Sequence, residues 1–355
     1  MADAESATSQ FAPPQSLIKR ILSIRNPCDT LSKFVVGITL SFPLLNCGDG
    51  GTDPSKLIDD TDFSIELAFI NHGTPSQDSA LIAAADRWMS IVQGDLGDVD
   101  FSSTPVAANT CGEGVQNPEV SGTVDDLRIF IDIRPLDGPA GTLGQAGFCQ
   151  MRTSSHLPVL GFMSFDSDDL GPIEQNGDFG ALALHEMGHV LGVGTLWPDS
   201  DTLLVNPSLP SSPSADTHFR GAAAIAAFNA AGGTAYTGGE KVPVENQLEE
   251  GSADSHWRES VLENELMTPL LQSGIANPLS AITTESLADL GYSVDSSGAD
   301  AFTGTFSAPT RLTAPDRSKN RSGSRRTVSL QNDTYRGPVD VVDRSGRVTR
   351  TIVRR

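Results

Sequence analysis

A helix that presents two histidines four residues apart has few uses, and this chain carries one in the run His185-Glu186-Met187-Gly188-His189. Positions i and i+4 lie one turn apart with their side chains leaning the same way, so the two imidazoles converge on one point. That spacing marks a zinc hydrolase site, with the ion about 2.0–2.1 Å from each nitrogen. Glu186 sits beside the same point, free to handle protons. Leu182, Met187, Val190 and Leu191 place the run on a helix that starts near Asp178, whose carboxylate is expected to cap the first turn, and that ends at Gly192. A glycine three residues after the second histidine lets the chain leave in a left-handed turn and fold back towards the ion. The longer form of the motif puts a third histidine at position 195, where Thr195 stands, so the third ligand comes from elsewhere.

The flanking patterns describe an α+β domain. Phe63, Ile65, Leu67 and Phe69 alternate with Ser64, Glu66 and Ala68, the period of a half-buried strand. Leu81, Ile82, Ala85, Trp88, Met89 and Val92 recur at helical spacing between Ser79 and Gly94, with Asp78 or Ser79 as cap and Gly94 as stop. Strand-like runs follow at Leu127 to Ile133, Leu143 to Cys149 and Val159 to Phe165, and then comes the metal helix.

Charge divides the chain. Its formal net charge is -21, yet residues 301–355 hold twelve Lys/Arg against four Asp/Glu, which leaves 12 basic and 41 acidic groups before them. So acidic a body repels nucleic acid and anionic lipid, and no nucleic-acid partner is expected. Lys19, Arg20, Arg25 and Lys33 precede an apolar run from Phe34 to Leu45, too short to span a bilayer and suited to the core of a signal peptide. The order Leu44-Leu45-Asn46-Cys47 resembles a bacterial lipoprotein cleavage box, which would make Cys47 a lipid anchor and the only membrane attachment, although Asn46 stands where a small residue is usual. Cys111 and Cys149, the two cysteines of the body, suggest one disulfide in an exported protein. The expected division is a leader at 1–47, a flexible linker at 48–60, a catalytic domain at 61–297 with an insertion at 199–255, a linker at 298–326 and a small basic β-rich tail at 327–355. That tail reads as two or three short strands around Asp343-Arg344-Ser345-Gly346, a hairpin or an addition to a sheet edge, with no catalytic group. The insertion carries an alanine-rich helix from Phe219 to Ala231.

His72, His156, His218 and His256 remain as sources of the third ligand, with His218 the main rival to His256. Only His256 is followed at short range by a candidate methionine turn, Asn264-Glu265-Leu266-Met267-Thr268-Pro269. Here the chain resembles a leishmanolysin-type metzincin, a family in which an insertion separates the helix-ending glycine from the third zinc histidine. The resemblance covers residues 60–297, including a closing helix within Leu279 to Tyr292. It implies a zinc-dependent endopeptidase acting on peptide or protein substrates. His185, His189 and His256 would hold one catalytic zinc, Glu186 would be the catalytic base and Met267 the apolar floor. The implied fold is a mixed twisted sheet with an active-site helix and a mainly helical or irregular C-terminal subdomain. The disulfide framework of the longer eukaryotic members cannot be carried over to two body cysteines. Two alternatives stay open: a zinc hydrolase of another fold with Glu259 or Glu265 as third ligand, and an extracytoplasmic zinc-binding surface protein that cleaves nothing. Peptide substrates enter such sites as an added strand, for which the Leu143 to Cys149 run, with Gly144 and Gly147, is the expected edge.

Overall fold

Strands that read as near-continuous apolar runs must be covered on both faces, and those at the centre of this molecule are. The computed structural model describes residues 62–354 apart from 113, 140, 200–201, 209–215, 248–251, 305, 307–326 and 331. The expected leader, with Cys28 and Cys47, lies outside the described residues.

The elements that frame the site are β1 (Ile65–Asn71), α1 (Pro75–Met89), β2 (Leu127–Arg134), β3 (Gly144–Arg152), β4 (Pro158–Asp166), α2 (Phe179–Leu191) and α3 (Ala222–Phe228). They continue with β5 (Leu270–Gln272), α4 (Ala281–Leu290), β6 (Thr327–Ser329), β7 (Val339–Val342) and β8 (Val348–Ile352). The main sheet is mixed, in the order β1-β2-β4-β3-β7-β8. β1, β2 and β4 run parallel, β3 runs antiparallel to β4, β7 runs parallel to β3 and β8 antiparallel to β7.

Side chains alternate across this sheet, as a two-residue period requires. Ile129, Ile131, Phe148 and Met163 point into a large core shared with α1 and α2, whereas Phe130, Cys149 and Phe162 join Val99, Phe101, Cys111 and Val115 on the other side. A disulfide between Cys111 and Cys149 ties that second layer to β3. Among the described residues no helix is long and apolar enough to cross a membrane.

Three expected boundaries moved. Helix α1 starts at Pro75 rather than Ser79, because Thr74 and Gln77 form a reciprocal capping box and proline suits the first turn. Asp78, expected as the cap, instead accepts from the Gly73 amide and meets His72. The helix stops at Met89, well before Gly94, because Val92 pairs with Val294 in a short two-stranded ladder. The insertion helix starts at Ala222 rather than Phe219, which lies in a short strand; α3 runs on as a π-helical stretch over Asn229–Gly233, past the expected end at Ala231, and the carboxylate of Asp289 on α4 accepts from the Ala223 and Ala224 amides at its start.

The tail is built into the body. β7 and β8 extend the main sheet at β3, and β6 pairs antiparallel with β5. The described start of the expected 298–326 linker also lies on the domain: Arg87 donates to the Gly298 carbonyl, and Asp300 accepts from the Leu279 amide.

Candidate metal centre

Helix α2 is buried almost all round, which fixes its rotation and so the direction of its histidines. Trp88 of α1 donates from its indole nitrogen to the Leu184 carbonyl at 3.0 Å. Asp178 does not cap the helix as expected; its carboxylate accepts from Ser273 Oγ and the Gly274 amide, so it ties the helix start to the loop after β5. At the other end Gly192 has φ 117°, and the Val193 amide donates to the Gly188 carbonyl in a left-handed stop. Gly194, at φ 74°, was not singled out in the sequence. A Cβ there would lie 1.9 Å from the Ser255 carbonyl oxygen, so only glycine lets the chain pass beside the loop that delivers His256.

The three histidines meet, all fully buried. The Nε2 atoms of His185 and His189 are 3.0 Å apart, and that of His256 lies 3.3 Å and 3.1 Å from them. Each Nδ1 faces a backbone carbonyl: His185 donates to Leu266 at 2.7 Å, His189 to Val193 at 2.8 Å and His256 to Ser252 at 2.9 Å. A carbonyl can only accept, so each Nδ1 carries the proton and each Nε2 is free to turn a lone pair to the common centre. Bonds of about 2.0–2.1 Å in a tetrahedron set ligand atoms roughly 3.3 Å apart, close to the spacing observed here. Burial pushes His185 and His189 below the usual imidazole range, which favours the neutral form that binds metal.

A fourth donor was not expected. Asp333, in the tail, places Oδ2 2.9 Å from His256 Nε2, 3.3 Å from His185 Nε2 and 3.7 Å from His189 Nε2. Burial by itself pushes the Asp333 carboxyl up, but positive charge at the imidazole cluster overcomes it and holds the group well below the usual range. Nitrogen lone pairs and a carboxylate gathered out of water call for positive charge, supplied by a proton on an imidazole or by a metal cation.

Glu186 lies beside this centre, fully buried, and neither carboxylate oxygen has a hydrogen-bond partner among the described residues. Burial, with the Asp333 charge added, pushes its carboxyl well above the usual range. Below the helix the Met267 thioether packs against Gly188, where a Cβ would come within 2.8 Å of the sulfur. Glu265 holds this turn: its buried carboxylate accepts from the Met267 amide, the Ser280 amide and hydroxyl, and the Thr283 hydroxyl. It is therefore spent on the turn and absent from the cluster, as is Glu259, which meets Gln272. His218 is also elsewhere, paired in a short strand and donating to the Asp216 carbonyl.

The family model for leishmanolysin matches residues 98–309. The chain belongs to the leishmanolysin peptidase family. Membership implies a zinc metallopeptidase, and the match takes in His185, His189, His256 and Met267 while ending before Asp333. No curated protein matches the chain closely enough to count as a relative.

Proposed function

We propose that this leishmanolysin-family chain is a zinc-dependent endopeptidase of metzincin type, with His185, His189 and His256 as ligands and Glu186 as general base. The observation that carries this reading is the triangle of Nε2 atoms, 3.0–3.3 Å on a side, beside a buried glutamate whose oxygens have no hydrogen-bond partner among the described residues. A zinc ion held there supplies Lewis acidity towards a water molecule and a peptide carbonyl. Glu186 accepts the proton of the attacking water and passes it to the leaving amine nitrogen as the peptide bond breaks. Leu266, Val193 and Ser252 hold the imidazoles in orientation through their carbonyls. Met267 gives the site an apolar floor, and Gly192 makes the turn that brings the Val193 carbonyl under His189.

One observation favours a second reading, a protein that holds zinc for structure alone. Asp333 completes a set of four protein donors, as in closed structural sites. A buried Glu186 beside the centre, with no hydrogen-bond partner among the described residues, is what such a site has no use for. We further propose an extracytoplasmic location, supported by the Cys111–Cys149 disulfide, with Cys47 as a lipidated residue. Mass spectrometry of membrane-fractionated protein should find lipid on Cys47, and an unmodified cysteine there would refute the anchor.

The peptidase is tested with a quenched peptide, in the native chain and in an Asp333→Ala background. Glu186→Gln should keep one zinc per chain and lower hydrolysis by about 10²–10⁴-fold, and a chelator should abolish it. Equal turnover with and without Glu186 or metal would end this reading.

A further inference from the structure

The segment through Asp333 crosses the metal centre between two backbone pairings, turning at Asn332, where φ is 57°. β6 pairs with β5, just after the Met267 turn, and the Leu330 amide donates to the Pro269 carbonyl at 3.0 Å. Leu330 is buried, and its carbonyl accepts from the Oγ of Ser252, the residue whose carbonyl orients His256. Three residues later Asp333 lies over the three imidazoles. The chain then joins the far wall: the Ala146 amide donates to the Asp333 carbonyl at 2.7 Å, and the Tyr335 amide donates to the Ala146 carbonyl at 2.8 Å. Thr334 thereby forms a parallel bridge with Ala146 of β3. Gly147 admits this close approach, since a Cβ there would stand 2.7 Å from Tyr335 Cβ. The β3 edge expected to receive substrate is thus taken by the chain's own tail, and the donor at the fourth position is a carboxylate from that tail.

We infer that residues 332–335 are a built-in occupant of the peptide-binding groove, with Asp333 holding the coordination position that the attacking water needs, so that the chain as folded is a latent peptidase. The inference rests on the peptidase reading above and adds its regulation. Two features separate this arrangement from a permanent four-donor site. Glu186 lies beside the centre, within reach of the Asp333 charge and with no hydrogen-bond partner among the described residues, and Asp333 reaches the centre on a strap that makes backbone bonds to both walls, as a bound peptide would. The strap also lies past the residues that match the family, so the three histidines and Glu186 sit within the matched part and their occupant outside it. Local opening of residues 332–338 uncovers the groove while β7 and β8 stay in the sheet.

The test uses the full chain, Asp333→Ala and Asp333→Asn, each loaded with zinc. Zinc per chain, affinity for a small peptide hydroxamate and cleavage of a quenched peptide are measured on all three. Both variants should keep one zinc and bind the hydroxamate at least about tenfold more tightly than the native chain, because a tethered competitor has been removed. Cleavage should rise with binding. Asn keeps the volume of Asp, which guards against a cavity effect in the Ala variant. Equal hydroxamate affinity in all three, or loss of zinc from both variants with thermal unfolding unchanged, would overturn the strap. Tighter hydroxamate binding without any cleavage would support the strap and defeat the peptidase reading. Cleavage by the native chain at the variants' rate would defeat the strap alone.

Discussion

Helix α2 and the strap at 332–335 bring donors to the same point by opposite means. In α2 the chemistry is local: a four-residue spacing on a buried helix aims two imidazoles together, and the helix geometry does the aiming. The strap has no such period. Asp333 reaches the centre only because β6 pairs with β5 on one side and Thr334 and β7 pair with β3 on the other. A ligand written into one turn survives changes elsewhere in the fold. A ligand delivered by two distant pairings depends on both of them, and that dependence makes it removable.

The comparison can be broken from the side of β3, the strand on which the strap leans. Replacing Cys111 and Cys149 together by serine frees the end of β3 from the second layer. The bridge closes a loop of sequence separation 38, worth about 4 kcal/mol on a chain-entropy estimate. Denaturant unfolding should register a loss of that order. A change under 1 kcal/mol, about the scale of an ordinary surface substitution, would show that the bridge does not brace the strand.

The local side is broken more gently at Gly192. An alanine there must hold φ 117° and would bring its Cβ 2.4 Å from Leu196 Cδ1. A loss of about 1–3 kcal/mol is expected, together with weaker zinc binding as the Val193 carbonyl leaves His189. Unchanged zinc affinity would mean that the turn does not orient the second imidazole.

The smallest effect sharpens the part that carries His256. Burial pushes the Glu259 carboxyl up to about 8 from an ordinary 4.5. Between those values the unfolded chain releases a proton that the native chain keeps, so this contribution is fully present below pH 4.5 and is lost as pH rises through about 8. Thermal melts from pH 5 to 8.5 should show a fall that Glu259→Gln makes shallower. An identical slope in the variant would place the titration elsewhere.

Much of the site was legible because its rules act over a few residues. The motif helix, its glycine stop, the alternating strands and the methionine after His256 all follow from period or turn chemistry, and the structure places His256 with the other two rings. Asp178 was misread for an instructive reason. An aspartate before a helix is a good cap, but Ser273 and Gly274, some 95 residues on, compete for the same carboxylate and hold it. Asp333 could not have been found at all. It is an unremarked acid in a basic tail, and its role is set by strand pairings at sequence separations near 60 and 190 that no local pattern encodes. Gly194 did leave a trace, a second glycine two residues after the helix stop, whose meaning needed Ser255 beside it.

A zinc-edge anomalous difference map from crystals of the full native chain tests the central claim most directly. The account predicts one strong peak about 2.0–2.2 Å from Nε2 of His185, His189 and His256 and from Oδ2 of Asp333, with Glu186 alongside but not bound. A peak lacking any of the three imidazoles, or ligated by Glu259 or Glu265, would contradict it.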